Sequence, residues 1–183
     1  MEIKEIRVQP KPCEISADAY LSSLKDIDRA HVNKLTASLI KELEKQSLHG
    51  ALLAVGSSIK INGNSREPHD IDIAWMIDEP TIQEDRSINH IQMTQKLYKN
   101  KQDIISAVNA NFPTEEQFHI EGKEPIEDYY IAGVAGMTGD FLLTAPNGGL
   151  TLDIINTAAY GSIEKTIQQI RQHQRPFAIL ATT

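Results

Sequence analysis

The chain has 183 residues, enough for one domain with a substantial core and too few for a second large domain. Hydrophobic residues make up 40% of it and charged residues 23%, and no apolar run approaches the roughly 20 residues that cross a bilayer. Composition therefore predicts a single soluble globular domain over residues 1–183 and argues against a membrane protein.

Charge and cysteine content narrow the class of protein further. The 25 acidic residues outnumber the 18 basic ones, and the net charge of −7 disfavours attraction to the phosphate backbone of nucleic acids. Cys13 is the single cysteine, which excludes an intrachain disulfide and a cysteine-rich zinc site. The first residues carry both charge signs and lack the apolar segment of a secretory signal, so a cytoplasmic location is expected.

The first half of the chain alternates helical and strand patterns. Apolar residues at helical spacing predict one or two amphipathic helices over 17–47, with Gly50 as the stop signal. The apolar run 51–56 is typical of a buried strand, and the polar stretch 57–69 predicts a loop with one helical turn at its start. Residues 70–77 predict a second strand whose first end faces a site.

The second half adds a long helix, a hairpin and a final helix. Helical spacing predicts a helix from about 85 to 111, which Pro113 ends. Strands are predicted over 128–136, 140–144 and 150–158, and the last two are joined by a turn containing Asn147 and Gly148, a strong hairpin signal. Ser162 opens a final helix that Pro176 stops before an apolar tail. These elements predict an α/β (α+β) fold with a mixed, mainly antiparallel sheet flanked by helices.

Two acidic residues in the predicted strand 70–77 carry the strongest chemical signal. Side chains two residues apart in a strand point to the same face, so Asp70 and Asp72 lie side by side while Ile71 and Ile73 enter the core. Two carboxylates about 4 Å apart repel by about 4 kcal/mol at an effective dielectric near 20, unless a cation or proton lies between them. Because the pair offers only oxygen ligands, it suits Mg²⁺ or Mn²⁺.

A Gly-Ser pair and a third carboxylate complete the candidate site. Gly56 permits a sharp turn close to a ligand, and Ser57 adds a hydroxyl and can begin a helix whose free N–H groups attract phosphate. Asp153, in an apolar strand, is a candidate third metal ligand or base, with Asp140 as its rival because the strand register is unknown. Two basic residues follow the turn where a triphosphate would need positive charge, Lys60 and Arg66.

These motifs resemble those of the nucleotidyltransferase superfamily that includes DNA polymerase β. The sequence reads Val-Gly-Ser at residues 55–57 and, after twelve residues, Asp-Ile-Asp-Ile at 70–73, with Leu-Asp-Ile at 152–154 as the third motif. The resemblance covers about 51–157 and implies that Gly56 and Ser57 hold the triphosphate, while three aspartates bind the catalytic metals, Asp70, Asp72 and Asp153. The chain departs from larger members in lacking a counterpart to their helical acceptor-binding domain.

The resemblance implies Mg²⁺- or Mn²⁺-dependent transfer of a nucleoside monophosphate from NTP to an acceptor hydroxyl, with release of pyrophosphate. The acceptor expected from size and charge is a protein or a small molecule rather than RNA, held partly by a partner protein or a second subunit. The alternative is a regulatory or effector domain of the same fold that binds nucleotide without turning it over. Base preference, the acceptor and the oligomeric state stay open at this point.

Overall fold

The computed structural model describes residues 14–59, 67–78, 90–123, 128–131, 134–137, 140–158, 162–172 and 176–183. These residues form four α-helices and nine strands. The helices are α1 (Ala17–Ser23), α2 (Asp26–Lys45), α3 (His90–Ala110) and α4 (Ile163–Gln172). The strands are β1 (Glu14–Ile15), β2 (His49–Val55), β3 (Asp70–Asp78), β4 (His119–Lys123), β5 (Asp128–Ile131), β6 (Val134–Met137), β7 (Asp140–Thr144), β8 (Thr151–Ala158) and β9 (Phe177–Thr182).

Seven of the strands form one mixed sheet in the order β1-β9-β2-β3-β8-β7-β4, and β5 and β6 form a separate antiparallel pair. Within the large sheet β1 pairs with β9 and β3 pairs with β8 in parallel, and the other neighbours are antiparallel. The predicted mixed, mainly antiparallel sheet flanked by helices is therefore confirmed in its architecture.

The core lies against both faces of the central strands. Ile71, Ile73 and Trp75 of β3 are fully or almost fully buried on one face. Leu43 of α2 lies directly against Gly50, which pairs with Ile77 of β3, so α2 covers this same face. Asp70 and Asp72 point to the opposite face because side chains alternate along a strand. That opposite face is buried at Ala74 and Met76 and presents the two carboxylates only at the start of β3.

The first helices and the strand after them differ in detail from the sequence prediction. One or two helices were predicted over 17–47, and the structure has two, α1 and α2. Gly50 is not the helix stop: α2 ends at Lys45, Ser47 adopts a positive φ of 56°, and Gly50 lies inside β2. Helix α3 begins no later than His90 and ends at Ala110, and the predicted start near residue 85 lies outside the described residues.

The apolar tail is an interior strand of the sheet. Residues Phe177–Thr182 form β9, which pairs with β1 on one side and with β2 on the other. Phe177 and Ala178 have no exposed surface. The sequence analysis had treated this segment only as an apolar tail, and it had not identified β4 as a strand.

No helix among the described residues combines the length and the apolar character that a membrane span requires.

Candidate metal centre

Three aspartates from two neighbouring strands meet on one face of the sheet. Asp70 and Asp72 lie on β3, and Asp72 is directly opposite Asp153 of β8 in the parallel ladder. One carboxylate oxygen from each residue lies within 4.8 Å of the others, and all three side chains are half-buried. The structure therefore brings together the three carboxylates that the sequence analysis had singled out as metal ligands.

The position of Asp153 depends on the hairpin that carries it. Strands β7 and β8 pair antiparallel across the predicted turn, with Leu142 opposite Asp153 and Leu143 opposite Leu152. Asp140, the rival third carboxylate, lies opposite Ile155 in this register, and its side chain is outside the part of the chain that the structure describes. Among the described acidic side chains, Asp153 is the one whose carboxylate lies beside those of Asp70 and Asp72.

The three carboxylates create a site of concentrated negative charge. The chosen carboxylate oxygens lie within 4.8 Å of one another, and two unit charges at that distance repel by roughly 3 to 4 kcal/mol at an effective dielectric near 20, which solvent screening reduces because the side chains are half-exposed. An all-oxygen donor set of this kind fits a hard divalent cation such as Mg²⁺ or Mn²⁺, which takes carboxylates and keeps positions for water or phosphate. The donor chemistry thus fits the ion that the sequence analysis expected.

Gly56 lies against the Asp72 carboxylate. Its φ is +71°, a conformation that L side chains rarely adopt. A Cβ atom built on Gly56 would lie 2.0 Å from Asp72 Oδ2 and 2.9 Å from Asp72 Cγ, far inside contact distance. Val55, the preceding residue, pairs with Asp72 across the β2–β3 ladder. The absence of a side chain at residue 56 therefore lets the backbone of the Gly-Ser turn approach a candidate metal ligand.

A single helical turn follows β2 at the Gly-Ser pair. Gly56–Ser58 form a single 3-10 turn, closed by a 3.5 Å hydrogen bond from the Ile59 N–H to the Gly56 carbonyl, and Ile59 is extended. The single helical turn predicted at the start of the loop 57–69 is therefore present, as a 3-10 turn that begins one residue earlier, at Gly56. Ser57 is exposed beside Gly56, so any phosphate contact there would use the turn's own backbone and the Ser57 hydroxyl.

Ser58 is a structural member of the turn that sequence reasoning missed. Its side chain is buried, and its hydroxyl donates a 3.4 Å hydrogen bond to the Val55 carbonyl. Serine hydroxyls commonly bond to nearby backbone carbonyls in turns, so the Ser-Ser pair after Gly56 was the available signal. This contact ties the end of the turn back to the last residue of β2.

The start of β8 is anchored to helix α2. The buried Asp28 carboxylate accepts the Leu150 N–H at 2.7 Å, and His31 Nε2 lies 2.9 Å from Asn147 Oδ1. Gly149, between these contacts, has φ +95°, and a Cβ there would lie 2.8 Å from Asp28 Oδ1. Two side chains on successive turns of one helix therefore hold the connection that precedes Asp153.

A small pocket borders the site on the side of the α2 amino terminus. Its volume is about 90 Å³, and its wall includes Ser58 of the turn, Pro68 just before β3 and Leu150 just before β8. Sites that enclose whole small-molecule ligands typically measure about 300–1,000 Å³. This pocket is too small to enclose a nucleotide.

Lys60 and Arg66, the expected cations for a triphosphate, lie outside the described residues.

Comparison with known proteins identifies no relative. No protein-family model matches the chain, and no curated protein or solved structure matches it significantly.

Proposed function

We propose that the protein is a divalent-metal-dependent nucleotidyltransferase that moves a nucleoside monophosphate from NTP to an acceptor hydroxyl. The observation that carries the proposal is the convergence of Asp70, Asp72 and Asp153 within 4.8 Å. The position of Gly56 against the Asp72 carboxylate supports it, because the same turn that permits a close backbone approach borders the candidate metal ligands. The motifs also follow one another in the order that the resemblance implies: the Gly-Ser turn, then the paired aspartates, then the third aspartate.

In this proposal Asp70, Asp72 and Asp153 hold one or two Mg²⁺ or Mn²⁺ ions. A divalent ion bound there supplies positive charge that offsets the charge of the triphosphate and of the departing pyrophosphate. The turn at Gly56 and Ser57 contacts the triphosphate through backbone N–H groups and the Ser57 hydroxyl. Because the carboxylates and a triphosphate repel one another, nucleotide binding without the divalent ion is expected to be weak.

The proposed transfer is a single displacement at the α-phosphorus of the NTP. The acceptor oxygen forms a bond to that phosphorus while the bond to the bridging oxygen of the leaving group breaks, and pyrophosphate departs with the electron pair. The proton of the acceptor hydroxyl passes to the Asp153 carboxylate, which releases it to solvent. Asp153 is proposed for this role because it lies on a different strand from the other two carboxylates, at the same level as Asp72.

The acceptor is proposed to be a protein side chain or a small molecule. With 18 basic residues against 25 acidic ones, the chain has a poor electrostatic basis for holding a polyanion beside three carboxylates and a triphosphate. An acceptor with a neutral hydroxyl needs no such positive charge. A partner protein or a second subunit would bind part of the acceptor.

The test replaces the paired carboxylates together, as Asp70→Asn with Asp72→Asn. Wild-type protein is titrated with Mn²⁺ and then incubated with each α-labelled NTP, Mg²⁺ and cell extract, and label is followed into protein, small-molecule and RNA fractions. The double variant is expected to lose Mn²⁺ binding and at least about a thousandfold in transfer, because two of three ligands are gone. Its free energy of unfolding without metal should be equal or higher by on the order of 1 kcal/mol, since charge repulsion is relieved.

Asp103→Asn is the matched control, because Asp103 is an exposed aspartate on α3. It should leave both Mn²⁺ binding and transfer unchanged. Undiminished transfer by the double variant would contradict the proposal. Metal-dependent NTP binding by the wild type with no transfer to any fraction would favour the nucleotide-binding effector domain, and salt-sensitive labelling of RNA by the purified protein would overturn the choice of acceptor.

A further inference from the structure

Tyr20 is a buried residue of α1 whose hydroxyl reaches the Gly-Ser turn. It has no exposed surface, and its hydroxyl lies 3.0 Å from Ser58 Oγ. Its backbone is held on both sides: the Tyr20 N–H donates to the Ser16 carbonyl at 3.0 Å, and the Tyr20 carbonyl accepts the Ser23 hydroxyl at 2.6 Å. Because the ring is also fully buried, its packing holds the hydroxyl beside Ser58.

The direction of the hydrogen bonds follows from the proton count. The Val55 carbonyl can only accept, so the arrangement that satisfies both contacts has the single Ser58 proton donated to Val55 and the Tyr20 hydroxyl donating to Ser58 Oγ. Burial raises the pKa of Tyr20 to about 12, and the negative charges of Asp72 and Asp28 act in the same direction. Tyr20 therefore keeps its proton and remains a donor at neutral pH.

This chain of hydrogen bonds ends at the residues that border the carboxylates. Val55 pairs with Asp72 in the ladder, and the next residue, Gly56, is the one whose backbone lies against Asp72. Among the described residues, the backbone hydrogen bond that closes the turn, from the Ile59 N–H to the Gly56 carbonyl, is 3.5 Å long and is a weak constraint. The side-chain contacts of Ser58 add to it and help to fix the position of the turn relative to the metal ligands.

We propose that Tyr20 is a positioning residue for nucleotide binding: its hydroxyl, acting through Ser58, holds the Gly56–Ser57 backbone where that backbone meets the triphosphate. Tyr20 does not touch the substrate in this arrangement. The inference rests on the proposed function, because it assumes that the turn contacts NTP. It adds a residue from α1 to a site otherwise built from β2, β3 and β8.

The test compares Tyr20→Phe with the wild type in three measurements: affinity for Mn²⁺ alone, affinity for each NTP with Mg²⁺ in the absence of acceptor, and kcat and KM for transfer. Tyr20→Phe is expected to weaken NTP binding and raise KM by about tenfold, with kcat within about twofold, because the turn binds the triphosphate equally in the ground and transition states. Mn²⁺ affinity should stay within about twofold, since the three carboxylates are intact.

Two further variants separate positioning from a general loss of stability. Thr36→Val also removes a buried hydroxyl, one that donates to the Val32 carbonyl within α2, and it should leave NTP affinity unchanged. Ser58→Ala should reproduce the Tyr20→Phe effect, and the double variant should be no worse than either single variant, because both act through one contact.

The outcomes distinguish the two proposals. If the wild type binds NTP with Mg²⁺ and Tyr20→Phe changes NTP affinity no more than Thr36→Val does, the positioning role is overturned while the proposed function stands. If the wild type binds neither Mn²⁺ nor any NTP, the proposed function fails and the positioning role fails with it. Selective loss of NTP affinity in both Tyr20→Phe and Ser58→Ala supports the inference even when no acceptor has been found.

Discussion

Gly56 is constrained in two independent ways, by its backbone conformation and by its neighbour. The positive φ of 71° would strain any L residue, and the Asp72 carboxylate occupies the space that a Cβ would need. From the sequence, the first constraint was foreseeable because a glycine followed by serine after an apolar run predicts a turn. The second was not foreseeable, because it depends on how the β2 and β3 strands pair.

Gly56→Ala is expected to lose metal binding as well as stability. The left-handed backbone alone costs about 1–2 kcal/mol for an alanine, and the added methyl group forces the Asp72 carboxylate away from its partners. Gly148→Ala is the matched control, since Gly148 has φ +87° with no atom within 4 Å of the added Cβ. Urea denaturation should show a loss for both variants, and Mn²⁺ titration should show a loss for Gly56→Ala alone. Normal Mn²⁺ affinity in Gly56→Ala would mean that Asp72 is not a ligand.

At the scale of elements, the site depends on a helix that contributes no candidate ligand. Asp28 and His31 of α2 contact the connection between β7 and β8, which leads directly to the strand carrying Asp153. The hairpin was predictable from Asn147 and Gly148, and the structure confirms that β7 and β8 pair antiparallel. The helical partner was not predictable, because Asp28 and Leu150 are far apart in the chain and nothing local relates them.

Asp28→Ala is expected to lower the free energy of unfolding by about 1.5–3 kcal/mol. It removes a buried carboxylate that accepts the Leu150 N–H at 2.7 Å, and hydrogen bonds to charged groups contribute about this amount. Asp26→Ala in the same helical turn is the control: the Asp26 side chain is 94% exposed, so its surface ion pair with Arg29 should contribute about 1 kcal/mol or less. Equal losses for the two variants in urea denaturation would contradict an anchoring role for Asp28.

At the scale of the whole molecule, the sheet is assembled from strands that are distant in the chain. Strand β9 inserts between β1 and β2, and β8 pairs with β3 across the intervening helix α3 and four strands. Pairing of this kind requires closing long loops before the contacts form, which raises the entropic cost of assembly. The candidate metal centre exists only once the β3–β8 pairing is made.

Phe177→Ala is expected to destabilise the protein as a core substitution does, by about 3–5 kcal/mol in the free energy of unfolding. The Phe177 side chain is fully buried in β9, next to β2, the strand that leads into the Gly-Ser turn. Thr182→Ala, at the exposed end of the same strand, should change it by less than about 0.5 kcal/mol. A loss below 1 kcal/mol for Phe177→Ala would show that the tail is dispensable for the core.

The sequence by itself determined the local features of this protein. Side-chain alternation placed Asp70 and Asp72 on one face of a strand and Ile71 and Ile73 in the core, and Asn147 and Gly148 marked the hairpin. These features follow from interactions within a few residues, which short patterns record. They also specified an α/β architecture with a mixed sheet, which the structure confirms.

Only the tertiary structure decided the rest. It placed Asp153 directly opposite Asp72, made the apolar tail an interior strand, and brought Tyr20 to Ser58. Strand register and long-range contacts depend on which surfaces bury one another across the whole fold, and a shift of one residue in register would turn Asp153 to the other face. No pattern confined to one segment specifies that choice, because its energy comes from pairing partners far away in the chain.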